Sequence, residues 1–185
     1  MPSQSYQSTL ITAQADGAAK TASAAASILP VGALLTLPPN YFAYIGQMVK
    51  VTAHGRISCA VTTPGTVRLD LRLGGTVVYD TGALNLNIVA KTNVPWWLEV
   101  LLCVRTIGTT TTATLFGLGN FQSEAIVGAP LPTVGGNGSL LCPVGAPAVG
   151  GGFDSTASKV VDLQHTQTVA TGSITLHMFK IESLN

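Results

Sequence analysis

Three histidines and one pair of adjacent tryptophans hold most of this chain's capacity for chemistry: His54, His165, His177 and Trp96-Trp97. Imidazole is the side chain best suited to general acid–base work near neutral pH and to metal ligation. His54 falls at an outward position of an alternating stretch, which makes it surface decoration. His165 and His177 lie about level on either side of Thr171-Gly172, so a closing hairpin through that turn sets them face to face. A metal site needs a third ligand, and none stands beside them at suitable spacing. Nor do neighbouring residues supply a nucleophile, a base and an orienting group together.

The remaining reactive groups are equally spare. Asp70 and Asp80 flank Gly74-Gly75 and balance Arg68 and Arg72 across a hairpin, an ordinary cross-strand arrangement. The glycine runs at 135–138 and 150–152 lack the Lys-Ser/Thr of a phosphate loop and its strand-then-helix setting. Asn137-Gly138-Ser139 matches a glycosylation acceptor, a pattern without meaning for a product made in a cytoplasm. Cys59, Cys103 and Cys142 are odd in number and widely spaced, which reads as reduced thiols. These observations point to a chain that is no enzyme and carries no cofactor and no metal.

Trp96-Trp97 is a different kind of signal. Neighbours on a strand point to opposite faces, so one indole enters the core and the other faces outward. Leu98, Val100 and Leu102 share the parity of Trp96, and Leu101 and Cys103 share that of Trp97. Both faces are therefore apolar, which favours a subunit interface over a sugar platform for the outward ring. Trp97 joins Ile28, Leu29, Leu131, Leu140 and Leu141 as the candidate interface residues.

The elements that position these residues are strands. From Val49 to Val61 every odd position is apolar or small and nearly every even one is polar, the mark of a strand with one buried face. Gly55 in its middle predicts a bend, a bulge or a passage between two sheets. Thr66–Leu73 alternates again, and Gly74-Gly75 reads as a two-residue hairpin turn into Thr76–Asp80. Leu34–Leu37 and Tyr41–Ile45 read as short strands around Pro38-Pro39-Asn40. Trp96–Thr106 is answered by Thr109–Phe121, and Lys159–Ala170 pairs with Ser173–Glu182 in a terminal hairpin where Ile174, Leu176 and Met178 share a face. The count, about eight to ten antiparallel strands with very little helix, predicts an all-β, jelly-roll-like β-sandwich. An immunoglobulin sandwich is the poorer match, because the chain is long for it and lacks the Cys…Trp…Cys pattern.

Composition bears on partners. Charged residues make up 9% of the chain, against ~25% in a typical globular domain. None occurs between Thr21 and Val49 or between Ala125 and Phe153. A surface so poor in charge reads as one made to be covered by other subunits. A net charge of +1 with scattered basic residues leaves no footprint for nucleic acid, and no uncharged run reads as a spanning helix. Residues 1–30 are expected to form an N-terminal arm, with an Ala-rich stretch at Ala18–Ser27. Residues 31–185 form a single sandwich domain carrying a long neutral Gly/Pro-rich loop at 124–158.

The run Tyr44-Ile45-Gly46 with Met48-Val49-Lys50-Val51-Thr52-Ala53-His54-Gly55-Arg56-Ile57-Ser58 is followed by Thr63-Pro64-Gly65-Thr66-Val67-Arg68 and Leu73-Gly74-Gly75-Thr76-Val77-Val78. This pattern resembles that of small virion structural proteins of tailed bacteriophages, of the jelly-roll capsid decoration or cement type. The likeness runs from Tyr41 to Phe121, with the style of Phe179–Leu184 added. It implies a homotrimer on the capsid surface, bound to the major capsid protein and made in the host cytoplasm. It transfers no catalytic residue. The alternative is a receptor- or carbohydrate-binding knob of a tail or fibre, for which Trp97 with Thr109–Thr112 is the candidate cluster.

Overall fold

The computed structural model describes residues 7–21, 23–60, 64–127 and 138–185. The strands are β1 (Ser8–Thr12), β2 (Ala26–Ser27), β3 (Leu35–Leu37), β4 (Met48–Cys59), β5 (Thr66–Leu73), β6 (Thr76–Asp80), β7 (Leu84–Asn85), β8 (Lys91–Thr106), β9 (Thr114–Ser123), β10 (Gly138–Cys142), β11 (Lys159–Gln167) and β12 (Ser173–Ser183). Among the described residues the one helical turn is a 3-10 segment at Val31–Ala33.

One sheet has the order β1-β12-β4-β8-β9-β10 and the other β2-β11-β5-β6, with β3 also on β11 and β7 also on β5. First and last strands lie side by side, and six of the eleven steps between successive described strands cross from one sheet to the other. That is the jelly roll, two four-stranded sheets wound as Greek keys, with β9 and β10 added to one of them. All pairings are antiparallel.

The alternation read along the chain becomes the core. Val49, Val51, Ala53 and Ile57 of β4 point inward beside Trp96, Leu98, Val100, Leu102 and Val104 of β8. Val67, Leu69, Leu71 and Leu73 of β5, with Val161 and Leu163 of β11, are buried in the second sheet. Gly74 and Gly75, at φ 56° and 91°, turn β5 into β6 with Leu73 opposite Thr76. Positive φ at both turn positions suits the strand twist and admits glycine at no steric cost.

Four expectations are corrected. β11 and β12 are no hairpin: they belong to different sheets, and Thr171-Gly172 carries the chain across the sandwich. Tyr41–Ile45 is a turn held by Gln47, whose Oε1 accepts from the Ala43 amide (3.0 Å) and whose Nε2 donates to the Tyr41 carbonyl (3.1 Å). β4 stays in one sheet throughout, so Gly55 does not pass it to the other. The described part of residues 1–30 does not stand off as an arm. β1 pairs with β12, and the amides of Ala13, Gly17 and Lys20 donate to the carbonyls of Phe179, Leu176 and Ile174.

Candidate functional site

The outer face of the larger sheet gathers the exposed aromatic and its polar neighbours. Met178, His54, Trp97, Gln122 and Ser139 form one row across β12, β4, β8, β9 and β10. The next row pairs Lys180, Thr52, Glu99, Asn120 and Leu141. Trp97 is 43% exposed while Trp96 is 2% exposed, the split that adjacent strand positions impose.

Each indole has its own setting. Trp96 stacks on Phe121 with ring centroids 5.8 Å apart, and its Nε1 donates to the Thr175 carbonyl at 3.2 Å. Trp97 stacks on the His54 imidazole at 5.1 Å and 25°. Burial lowers the pKa of His54 against the opposing pull of Glu99, which favours a neutral ring on the indole. Glu99 is in turn held by Lys50, 2.8 Å from its carboxylate.

Met178 owes its place to an irregularity. The register of β12 on β4 shifts between Leu176 and Met178, so a bulge at His177 inverts the alternation beyond it. Ile174 and Leu176 are buried, Phe179 and Ile181 take over the inward positions, and Met178 is 59% exposed. Parity alone places Met178 in the core, and the bulge overrides it. His177 leans across to Asp16, Nδ1 to Oδ1 2.9 Å.

Two depressions meet at Trp97. A cleft of about 510 Å³ is lined by His54, Gly55, Pro95, Trp96, Trp97, Gln122, Ser123, Glu124, His177 and Met178. A smaller one of about 190 Å³ is lined by Trp97, Glu99, Asn120 and Gln122. The Thr109–Thr112 segment is not among them. It forms the turn at the far end of β8, nine strand positions or ~30 Å from Trp97, so the aromatic-with-threonine cluster does not assemble.

The other residues singled out by sequence are dispersed. Ile28 and Leu29 are spent in the chain's own core and offer nothing to a neighbour. Leu131 lies outside the described residues. Leu140 is half-buried and packed against the core, whereas Leu141 is 82% exposed. The three cysteines are free thiols, and among the described residues no three His, Cys, Asp or Glu side chains gather as a metal would need. Asp80 pairs with Arg68 across the hairpin, and Asp70 with Arg72 along one strand.

His165 sits far from His177, on the second sheet. It shares the parity of Val161 and Leu163, a signal the sequence contains, and it is buried with neither ring nitrogen hydrogen-bonded to the described residues. Burial pushes its pKa down to about 4, from ~6.5 in an unfolded chain. Between those values the unfolded chain takes up a proton that the fold excludes, so stability declines as pH falls from about 6.5 toward 4. The full difference amounts to about 3 kcal/mol. His165→Leu is therefore expected to flatten that decline, giving a higher urea midpoint than the parent at about pH 4.5 and little change at about pH 7. Parallel acid slopes for the two proteins would show that His165 is not the group responsible.

No family model and no curated protein matches the chain. Among solved structures, the CBM2 module of the evolved Dit of Lactobacillus casei BL23 phage J-1 is similar over 98% of this chain and 97% of that chain, at 8% identity and a TM-score of 0.35. At that score the likeness carries no argument about function.

Proposed function

We propose that this chain is a structural subunit of a tailed-phage virion, a capsid decoration protein that binds the head surface as a homotrimer and stabilises the shell. The observation that carries this reading is the free end of the larger sheet. β10 terminates it, and no other strand pairs with its outer side among the described residues. Around that edge Leu118, Leu141, Val144 and Val149 are exposed. Unpaired strand groups beside exposed aliphatic side chains call for a protein cover. The low charge of the chain and the virion-protein pattern of Met48–Ser58 support the same reading.

Contacts of this kind hold by shape and buried area, and are little weakened by salt. Purified protein is expected to sediment as a trimer and to raise the melting temperature of emptied capsids. Leu141→Asp places a charge on the edge without touching the core, and should weaken capsid binding by about tenfold or more. A monomer that leaves capsids unaltered would defeat the proposal. The alternative, an accessory of a tail or fibre that binds a receptor or carbohydrate, is separated by copy number: many per particle for a shell subunit, a handful for a tail part.

A further inference from the structure

We infer that the outer face of the larger sheet carries a binding subsite for a neutral hexopyranose, built from Trp97, Glu99, Asn120 and Gln122. Trp97 stands opposite Gln122, and Glu99 opposite Asn120, on the paired strands β8 and β9. These four residues line the depression of about 190 Å³, one aromatic plate beside three planar polar groups. Saccharide sites need that combination: the C–H face of the ring lies on an aromatic surface while a few fixed polar groups orient its hydroxyls.

The plate is held from behind. β4 and β9 flank β8 on opposite sides, so the His54 imidazole supports the indole on the β4 side. The side toward Gln122 faces the depression. An exposed tryptophan already fixed by a stacked neighbour loses little freedom when a ligand arrives.

The polar groups are placed and still have capacity. Lys50 holds the Glu99 carboxylate at 2.8 Å. Ser139 Oγ stands 3.4 Å from Asn120 Oδ1, which leaves the Asn120 Nδ2 group to donate. The Gln122 side chain makes no hydrogen bond to the described residues. Adjacent sugar hydroxyls each donate and accept, and two amides with a carboxylate answer both needs. Among the described residues the one formal charge lining the depression is that of Glu99, already paired with Lys50, so an acidic sugar meets repulsion there. The larger cleft shares Trp97 and Gln122 and gives a flanking sugar a place beside His54 and Met178.

The depression is lined by none of Leu118, Leu141, Val144 and Val149, the exposed residues assigned to assembly, so sugar binding and capsid binding can be tested apart. The test uses the whole nitrogen-labelled chain titrated with the methyl glycosides of glucose, mannose and galactose, with N-acetylglucosamine, with oligomers of each, and with glucuronic acid and sialic acid as charged counterparts. At least one neutral sugar is expected to move the Trp97 indole N–H signal saturably while that of buried Trp96 stays still. Its oligomer should bind more tightly. Gln122→Ala should lower affinity about tenfold, and Trp97→Ala should abolish binding at an unchanged melting temperature. Val149→Asp, an exposed edge position that belongs to neither row of the site, should weaken capsid binding and still bind sugar like the parent, which keeps this result apart from that of the capsid assay. A panel that leaves the Trp97 signal unmoved, binding that survives Trp97→Ala, or a preference for sialylated or uronic-acid sugars would overturn the inference.

Discussion

Trp96→Ala is expected to cost the domain ~3–5 kcal/mol, the range for emptying a buried aromatic site, whereas Trp97→Ala, one residue later, stays within about 0.5 kcal/mol. For a chain of this size that is a fall in melting temperature of roughly 6–20 °C against about 2 °C or less. The difference follows from strand geometry. The Trp96 ring is 2% exposed, lies parallel to Phe121 and donates its N–H to Thr175 on β12. Its removal leaves a cavity between the sheets and an unanswered carbonyl. The Trp97 ring stands on the outer face, where water replaces it. Thermal melts of the two variants decide the matter, and equal losses would mean that the inward and outward assignments on β8 are misplaced.

The second large effect comes from adding a single methyl group. Gly55 of β4 faces Trp96 on one side and Leu176 on the other. A Cβ there would overlap the Thr175 carbonyl oxygen and stand 2.8 Å from Trp96 Nε1. Gly55→Ala therefore pushes the indole off its acceptor and strains a packed interior. Overpacking and the lost buried hydrogen bond together should cost about 2–4 kcal/mol. Urea unfolding measures the loss, and the Trp96 indole N–H signal should shift as its bond to Thr175 breaks. In a Trp96→Phe background the same substitution should cost less by about 1 kcal/mol, because the group it displaces is gone. A neutral Gly55→Ala would show that glycine is dispensable at this crossing. The residue was expected to mark a bend, a bulge or a passage between sheets; its strand stays in one sheet, the bulge of β12 at His177 falls opposite it, and the missing side chain leaves room for Thr175 and Trp96.

The sequence was most legible where a property repeats along one strand. The alternation in β4, β5 and β8 predicted their buried faces, and the separation of Trp96 from Trp97 followed from it. Gly74-Gly75 predicted its turn from backbone freedom alone. The same rule failed at Met178, because the bulge at His177 adds one residue and reverses every later position. It failed at Tyr41–Ile45 because the side chain of Gln47 supplies hydrogen bonds that a strand would have taken from a neighbour. Trp97 was legible as an outward aromatic. Its partners were not, since Glu99, Asn120 and Gln122 carry no motif and come from two strands.

By itself, then, the sequence determined strands, turns, inward faces and an all-β sandwich, because pleat and side-chain alternation are local properties of the backbone. Only the tertiary structure decided which strands lie side by side. β11 and β12 are adjacent in the chain, joined by a short turn, and lie in opposite sheets. β1 and β12, at the two ends, are neighbours. Pairing of this kind depends on the apolar area that each arrangement buries and on the cost of closing long loops, and neither is written in any one segment. The Trp97 surface is a product of that pairing: strands far apart in sequence bring His54, Trp97 and Gln122 into a single row, on the face that the core leaves free.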